Sequence, residues 1–113
     1  MTNKPDIISI ERQKNAVVIQ LHIPAELVYF PGHFPDYPVL PGVVQLQWAE
    51  ELARQEGLLG KLTFCRVERL KFMRVISADY NVQLNLECIK PDTISFSYNS
   101  EHGLHSSGRI VFT

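Results

Sequence analysis

Apolar and polar residues alternate along several stretches of this chain with the period of two that is typical of strands with one buried face. The alternation is clearest in two runs of the C-terminal half: Val82, Leu84, Leu86 and Cys88, then Ile94, Phe96 and Tyr98. Apolar, β-branched runs at 7–10 and 16–23 flank a polar turn and predict a hairpin. Further strands are predicted at 64–75, 81–89, 93–99 and 107–112.

One stretch has the period of an α-helix. It runs from Val43 to about Gln55 without Pro or Gly, and Gly57 ends it. Its apolar residues cover most of the helix circumference, which indicates a helix buried in the core. The narrow remaining arc is polar and consists of Gln47, Glu50, Glu51 and Arg54. Together the elements predict an α+β domain in which an antiparallel sheet wraps around one helix.

Length and composition limit what else the chain can be. With 113 residues, 45% of them hydrophobic, it is expected to form a single domain. A formal net charge of -1 argues against nucleic acid as the main partner. No apolar run approaches the roughly 18 residues that cross a bilayer, and the N-terminus lacks the apolar segment of a signal peptide. We therefore expect a cytoplasmic protein without a membrane partner.

Three residues of reactive types are interpreted as structural. Cys65 and Cys88 lack the short spacing of a metal site and lie in apolar, strand-like surroundings. In a reducing compartment, buried thiols are the simplest interpretation, ahead of a disulfide or a nucleophile. His22 is interpreted as a half-exposed strand residue.

The segment that precedes the helix is rich in proline. Four of the seven prolines fall between 31 and 41, and each fixes its own φ and restricts the residue before it. His33 is therefore expected to be held in a defined position. Pro41 and Gly42 suit a helix start, where the amides of Gly42 and Val43 are free to polarise a carbonyl oxygen. A fixed histidine beside a helix N-terminus supplies a base and hydrogen-bond donors for a carbonyl oxygen, which together can remove a proton next to a carbonyl.

These residues resemble a known family. The sequence is similar to the hotdog-fold 3-hydroxyacyl-[acyl-carrier-protein] dehydratases of fatty-acid synthesis. The matching residues are Phe30, Gly32-His33-Phe34-Pro35, Pro38-Val39-Leu40-Pro41-Gly42-Val43 and the helix that follows. The order of elements on both sides agrees, so the resemblance spans most of the chain. The continuation Gln45-Leu46-Gln47-Trp48-Ala49 is more similar to the branch that acts in aryl-polyene pigment pathways.

The resemblance implies a hotdog fold and assigns roles to individual residues. His33 stands at the position of the family's acid/base, and the amide of Gly42 at the position that holds the thioester carbonyl. It also implies a homodimer or higher homo-oligomer, in which each site combines the histidine of one subunit with a helix carboxylate of the other. At that carboxylate position this chain has Gln47, and it has Glu51 where the family commonly has an amide one turn later.

This exchange changes the available chemistry. Gln47 cannot transfer a proton at neutral pH and can only orient water or a hydroxyl by hydrogen bonding. Glu51 lies one turn, about 6 Å, further along the same helical face and could act as the acid through a water molecule. The alternative is a solvated stripe in which Glu50 and Arg54 form an ordinary i,i+4 pair.

We therefore expect dehydration of a 3-hydroxyacyl thioester on the phosphopantetheine arm of acyl carrier protein, with no metal or redox cofactor. His33 is expected to remove the α-proton. The amides of Gly42 and Val43 are expected to bear the charge that develops on the thioester oxygen. Gln47 with Glu51 is expected to handle the departing hydroxyl.

Two further sets of residues are assigned to substrate and partner. The acyl tunnel is expected to be lined by Phe34, Val44 and Trp48, for which ordinary core packing is the alternative. Basic residues of the strand region after the helix are expected to meet an acidic carrier protein, with a solvated strand face as the alternative. They are Arg66, Arg69, Lys71 and Arg74.

Two other functions remain open at this point. The same fold hosts acyl thioesterases, which direct water at the thioester carbonyl. A non-catalytic subunit that binds acyl carrier protein, or completes a heterodimer whose other subunit supplies the acid, is the third interpretation. It is motivated by Gln47.

Overall fold

The elements of the fold follow the predicted order. The computed structural model describes residues 2–28, 30 and 39–113 of the chain. Within them the elements are β1 (Asp6–Gln13), β2 (Ala16–His22), α1 (Gly42–Gln55), β3 (Phe64–Phe72), β4 (Asn81–Lys90), β5 (Thr93–Ser100) and β6 (Gly103–Phe112). The strands form one 6-stranded sheet of order β1-β2-β4-β5-β6-β3, in which all neighbours are antiparallel. The predicted arrangement of an antiparallel sheet with one helix is confirmed.

One hydrophobic core joins the inner face of the sheet to the helix. Alternate residues of the strands are buried on this face, among them Leu84, Phe96 and Ile110. Each side chain of this size contributes about 1.5–3 kcal/mol when it is fully buried. The helix supplies its wide apolar side, with Val44, Trp48, Ala49, Leu52 and Ala53. No helix in the described part of the chain is long and apolar enough to cross a membrane.

β3 ends at Phe72, whereas the sequence predicted a strand that continues to residue 75. The amides of Met73 and Arg74 both donate to the carbonyl oxygen of His105, at 2.8 and 3.2 Å. Two donors that converge on one acceptor end the regular ladder of hydrogen bonds. The chain leaves the sheet at this point.

Cys65 is exposed, so the prediction of two buried thiols is wrong for this residue. It lies in β3 at a register shift between Phe64 and Arg66. Because β3 is the last strand of the sheet within the described residues, the side chain has no neighbouring strand among them to cover it on one side. Cys88 is partly buried in β4, and both thiols are free.

The open edge of β3 carries uncovered apolar side chains. Within the described residues β3 pairs with β6 alone, so its other edge has no strand partner. Several large apolar residues on β3, directly after it and at the start of α1 have 39% to 72% of their surface exposed. They are Val43, Phe64, Leu70, Phe72, Met73 and Val75. We call these residues the β3 edge. Exposed apolar residues at an unpaired strand are typical of an interaction surface.

Gly108→Ala tests the packing of the core against β6. A Cβ at residue 108 would lie 2.8 Å from the ring of Phe96. We expect the substitution to lower the free energy of unfolding by about 1–3 kcal/mol, because the core must move to admit a methyl group. Urea denaturation followed by circular dichroism measures this. Ser107→Ala, on the outer face, is the control and should change stability by less than about 0.5 kcal/mol. Equal stability of G108A and the wild type would contradict the packing.

Candidate active site

The start of α1 presents backbone amides that the helix does not use. Pro41 precedes the helix with a φ of -60° and a ψ of 146°, and no described side chain caps this end. Its carbonyl oxygen accepts from the amides of Val44 and Gln45 at 3.1 and 3.2 Å. The amides of Gly42 and Val43 come too early in the chain for such an acceptor. The first turn has no acidic residue, so its own side chains do not neutralise the positive end of the helix dipole.

A cleft of about 350 Å³ opens beside Gly42. Phe72 packs so closely against this residue that a Cβ here would lie 2.5 Å from the aromatic ring. Glycine permits this approach because it has no side chain. Met73, Arg74 and Val75 also line the cleft. The helix start therefore borders a mostly apolar space that includes a basic side chain.

His33 and Phe34, the predicted base and a predicted tunnel residue, lie outside the described residues. Their roles stay predictions. The described chain resumes at residue 39, and the amide of Leu40 donates to the carbonyl oxygen of Ile76 at 2.7 Å. The end of the proline-rich segment is thus attached directly to the segment that follows β3.

Gln47, Glu51 and Lys4 form a connected chain on the outer side of α1. Gln47 Nε2 donates to Glu51 Oε1 at 3.0 Å, and Lys4 Nζ donates to Glu51 Oε2 at 2.7 Å. The two helical side chains therefore share one face, as their spacing predicted. The hydrogen bond from Lys4 lowers the pKa of Glu51, although partial burial opposes this shift. Glu51 is a carboxylate at neutral pH, which opposes the predicted role as proton donor.

The ionised Glu51 determines which end of the Gln47 amide is used. A carboxylate only accepts hydrogen bonds, so Gln47 contacts it through its NH2 group. The oxygen Oε1 of Gln47 is then the end that can accept from another molecule. The side chain lines a cleft of about 240 Å³ between α1 and β3, together with Phe64 and Val67. An acceptor at this place can hold a hydroxyl but cannot protonate it.

Val44 and Trp48, the other predicted tunnel residues, lie in the core with 4% and 1% of their surface exposed. Trp48 Nε1 donates to the carbonyl oxygen of Asn3 at 3.2 Å. Trp48 also borders a cavity of about 470 Å³ on the side of Lys4 and Glu51. Both residues contribute to core packing, and their role in a tunnel stays a prediction.

The four predicted docking residues are all exposed, but they divide between two places. Arg66, Arg69 and Lys71 lie on β3, where an ion pair with a neighbouring glutamate partly neutralises Arg66. Arg74 lies after the strand and lines the cleft beside Gly42. Among the four, Arg74 is the residue that adjoins the helix start.

Gln45, Tyr98 and Ser106 form a buried polar cluster that the sequence pattern did not reveal, which we call the Gln45 cluster. Gln45 is 3% exposed, donates from Nε2 to the carbonyl oxygen of Leu40 at 3.2 Å, and accepts at Oε1 from Ser106 Oγ at 2.7 Å. The Tyr98 hydroxyl donates to the backbone carbonyl of Gln45 at 2.7 Å. Burial raises the pKa of Tyr98, so the hydroxyl stays a neutral donor. One signal in the sequence could have revealed the burial of Gln45. It lies seven residues before Leu52 and therefore on the apolar side of the helix.

The histidines of the strands have structural partners. His22 Nδ1 shares a hydrogen bond with Asn81 Oδ1 at 2.9 Å. His105 is buried, and its Nε2 shares a hydrogen bond with Ser100 Oγ at 2.6 Å. Burial lowers the pKa of His105, so this residue is neutral at pH 7. In the part of the chain that the structure describes, no three His, Cys, Asp or Glu side chains converge as metal ligands would.

Solved structures define the class of protein. A chain of the ApeI:P dehydratase heterocomplex from Xenorhabdus doucetiae matches 96% of this chain and 97% of its own length, with a TM-score of 0.88 and 31% identity. An uncharacterized protein from Erwinia carotovora subsp. atroseptica matches 97% of this chain and 96% of its own, with a TM-score of 0.82 and 30% identity. The predicted hotdog fold of the dehydratases is confirmed.

Sequence comparison gives the family within this class. Residues 9–109 match the ApeI-like family, described as ApeI dehydratase. The 3-hydroxyacyl-[acyl-carrier-protein] dehydratase FabZ of Geobacillus sp. (strain WCH70) is 31% identical over 90 residues, which cover 74% of this chain and 61% of that protein. The chain thus spans about three fifths of the length of this relative. It belongs to the ApeI-like dehydratase family.

Lys4→Gln tests the connection between Lys4 and Glu51. We expect the substitution to raise the pKa of Glu51 towards its ordinary value of 4.5, because the hydrogen bond and the charge that stabilise the carboxylate are removed. A ¹³C NMR titration of the side-chain carboxyl measures this. Arg54→Gln, which breaks the ion pair with Glu50, is the control and should leave the titration of Glu51 unchanged. The same pKa of Glu51 in K4Q and the wild type would refute the connection.

Proposed function

We propose that the chain dehydrates a 3-hydroxyacyl thioester to a trans-2-enoyl thioester, with the substrate carried on the phosphopantetheine arm of acyl carrier protein. The observation that carries the proposal is the pair of unused amides of Gly42 and Val43 beside a cleft, in a chain of a dehydratase family. Backbone amides at such a place stabilise the charge on a thioester oxygen when the adjacent carbon loses a proton.

His33 acts as the base in this reaction. Its neutral imidazole takes the α-proton, and the amides of Gly42 and Val43 hold the enolate oxygen. The bond between the β-carbon and its hydroxyl then breaks, and the α,β double bond forms. The hydroxyl leaves as water with a proton from the imidazolium, since Gln47 has none to give and Glu51 is ionised. No metal or redox cofactor is required in this scheme, because acid/base chemistry is sufficient for the elimination.

Gln47 orients the departing hydroxyl. Its NH2 group is engaged by Glu51, so Oε1 accepts the hydrogen bond from the β-hydroxyl of the substrate. Glu51 and Lys4 act as positioning residues for this amide, and Glu51 is not the acid.

The β3 edge supports a site shared between two chains. The cleft beside Gly42 includes Phe72, and the cleft beside Gln47 includes Phe64, so both open along the same exposed strand. We propose that two copies pair through this edge to form a homodimer, the unit of any higher homo-oligomer. Pairing would cover apolar side chains that a single chain leaves in water.

A heterodimer is the second candidate assembly. Gln47 favours it, because a chain without a titratable residue at this position would gain an acid from a different subunit. The Xenorhabdus doucetiae structure, to which this chain is 31% identical, is itself a dehydratase heterocomplex.

His33→Ala tests the reaction and its base. We expect the pure wild-type chain to convert carrier-bound 3-hydroxyacyl substrate to product with enoyl absorbance. The kcat of the variant should be about 10²–10⁴-fold lower, because a positioned base supplies a factor of this size. His22→Ala removes a histidine outside the proposed site and is the control, with kcat expected to stay within about twofold.

Each other outcome of this assay has a definite meaning. Free thiol release would show hydrolysis and contradict dehydration. Activity that appears only after a second dehydratase-like subunit is added would replace the homodimer with the heterodimer. Unchanged kcat in H33A would contradict the assignment of the base.

Arg74→Glu tests carrier docking near the helix start. We expect KM for the carrier-bound substrate to rise about tenfold with kcat unchanged, because a repulsive charge would face an acidic carrier. The KM for a pantetheine thioester without the carrier should not change. The control is Lys61→Glu, on the loop after α1, which also replaces a positive charge with a negative one. Equal rises in KM for the free and the carried substrate would contradict docking at Arg74.

A further inference from the structure

We propose that Gln45 is a positioning residue that fixes the peptide units around Pro41 and thereby aims the amide of Gly42 at the substrate oxygen. This role rests on the proposed dehydration, because it concerns the amide that holds the thioester. The geometry through which Gln45 acts does not depend on the reaction.

One residue holds both carbonyl groups that immediately precede Gly42. The backbone amide of Gln45 donates to the carbonyl oxygen of Pro41 at 3.2 Å, and its side-chain Nε2 donates to that of Leu40, also at 3.2 Å. The peptide unit between Pro41 and Gly42 is planar and trans, so its N–H points opposite to its C=O. Because the Pro41 oxygen points into the first turn, the Gly42 N–H points out of the helix. The amide of Val44 shares the Pro41 oxygen at 3.1 Å, and the side chain of Gln45 adds the bond to the Leu40 carbonyl, which fixes the peptide unit before Pro41. Gln45 therefore helps to set the direction of this donor from both sides of Pro41.

The sheet in turn holds Gln45. Tyr98, Ser106 and Phe72 lie opposite one another on β5, β6 and β3, in one row across the sheet. We call these three residues the sheet row. Tyr98 and Ser106 bind the backbone oxygen and the side-chain oxygen of Gln45, and Phe72 packs against Gly42. The first turn of α1 is thus fixed at three neighbouring points.

The chemistry of the amide explains why glutamine occupies this position. Gln45, Ser106 and Tyr98 are 3%, 0% and 0% exposed, a setting in which an apolar side chain would satisfy packing alone. An amide can donate to the Leu40 oxygen and accept from the Ser106 hydroxyl at the same time. A leucine can do neither, and an ionised glutamate can only accept. Both ends of the Gln45 side chain are used, which favours a role in geometry over a role in burial.

Gln45→Leu is the first test. We expect kcat to fall about 10–100-fold while KM changes by less than about threefold, because a small displacement of the oxyanion donor weakens transition-state binding. Thr93→Val removes a buried hydroxyl that binds Asp92, away from α1, and should leave kcat unchanged. Ser106→Ala should lower kcat in the same direction as Q45L but by less. Wild-type kcat in folded Q45L would overturn the proposal.

Gln45→Glu separates positioning from a loss of packing. A protonated glutamate can donate to the Leu40 oxygen and accept from Ser106, whereas a carboxylate cannot donate. Burial raises the pKa of such a carboxyl, so the ratio of the kcat of Q45E to that of the wild type should rise as pH falls from 8 to 6. A ratio that stays as low as that of Q45L at every pH would count against the proposal.

NMR provides a readout that does not need activity. In the wild type, the side-chain NH2 of Gln45 should exchange slowly with solvent, and in Q45L the carbonyl ¹³C shifts of Leu40 and Pro41 should move. Fast exchange together with unmoved shifts would refute the role of Gln45, whatever the chain catalyses. Slow exchange and moved shifts in a chain without dehydratase activity would refute the proposed function instead. The proposal that the Gly42 amide binds a thioester oxygen would then also be refuted.

Discussion

The contact between the first turn of α1 and the sheet row is the constraint on which the candidate site depends. Tyr98, Ser106 and Phe72 belong to three adjacent strands, and together they fix the position of Gln45 and Gly42. The polar side-chain atoms of Gln45, Tyr98 and Ser106 all have partners. This matters because an unpaired buried polar group costs about 1–3 kcal/mol. The direction of the helix-start amides is therefore set by the sheet as well as by the helix.

Two polar networks flank the site, and they contribute to stability in different ways. The chain of Lys4, Glu51 and Gln47 is partly exposed, with Lys4 at 65% and Glu51 at 39% side-chain exposure. Exposed ion pairs contribute about 0–1 kcal/mol and weaken with salt. The Gln45 cluster is buried, so breaking one of its hydrogen bonds leaves a group that water cannot reach. The buried cluster is therefore the more costly of the two to break, and the exposed chain holds the NH2 group of Gln47 through Glu51.

A single chain provides part of the expected chemistry. It offers donors for an oxyanion at Gly42 and Val43 and an acceptor for a hydroxyl at Gln47, but Glu51 is held as a carboxylate. The clefts that contain these groups open along the β3 edge, where apolar side chains meet water. A partner that covered β3 would therefore also enclose the clefts.

The sequence by itself determined the elements, their order and the segment that carries the family motif, because burial on one face imposes a local period of two in strands and 3.6 in helices. It did not determine the environment of individual side chains. Gln45 finds Tyr98 and Ser106 at separations of 53 and 61 residues, and Glu51 finds Lys4 at 47. The exposure of Cys65 and the end of β3 follow likewise from the pairing of β3 with β6, at the edge of the sheet. Such partners are fixed by topology, which brings distant residues together and leaves no trace in the local pattern.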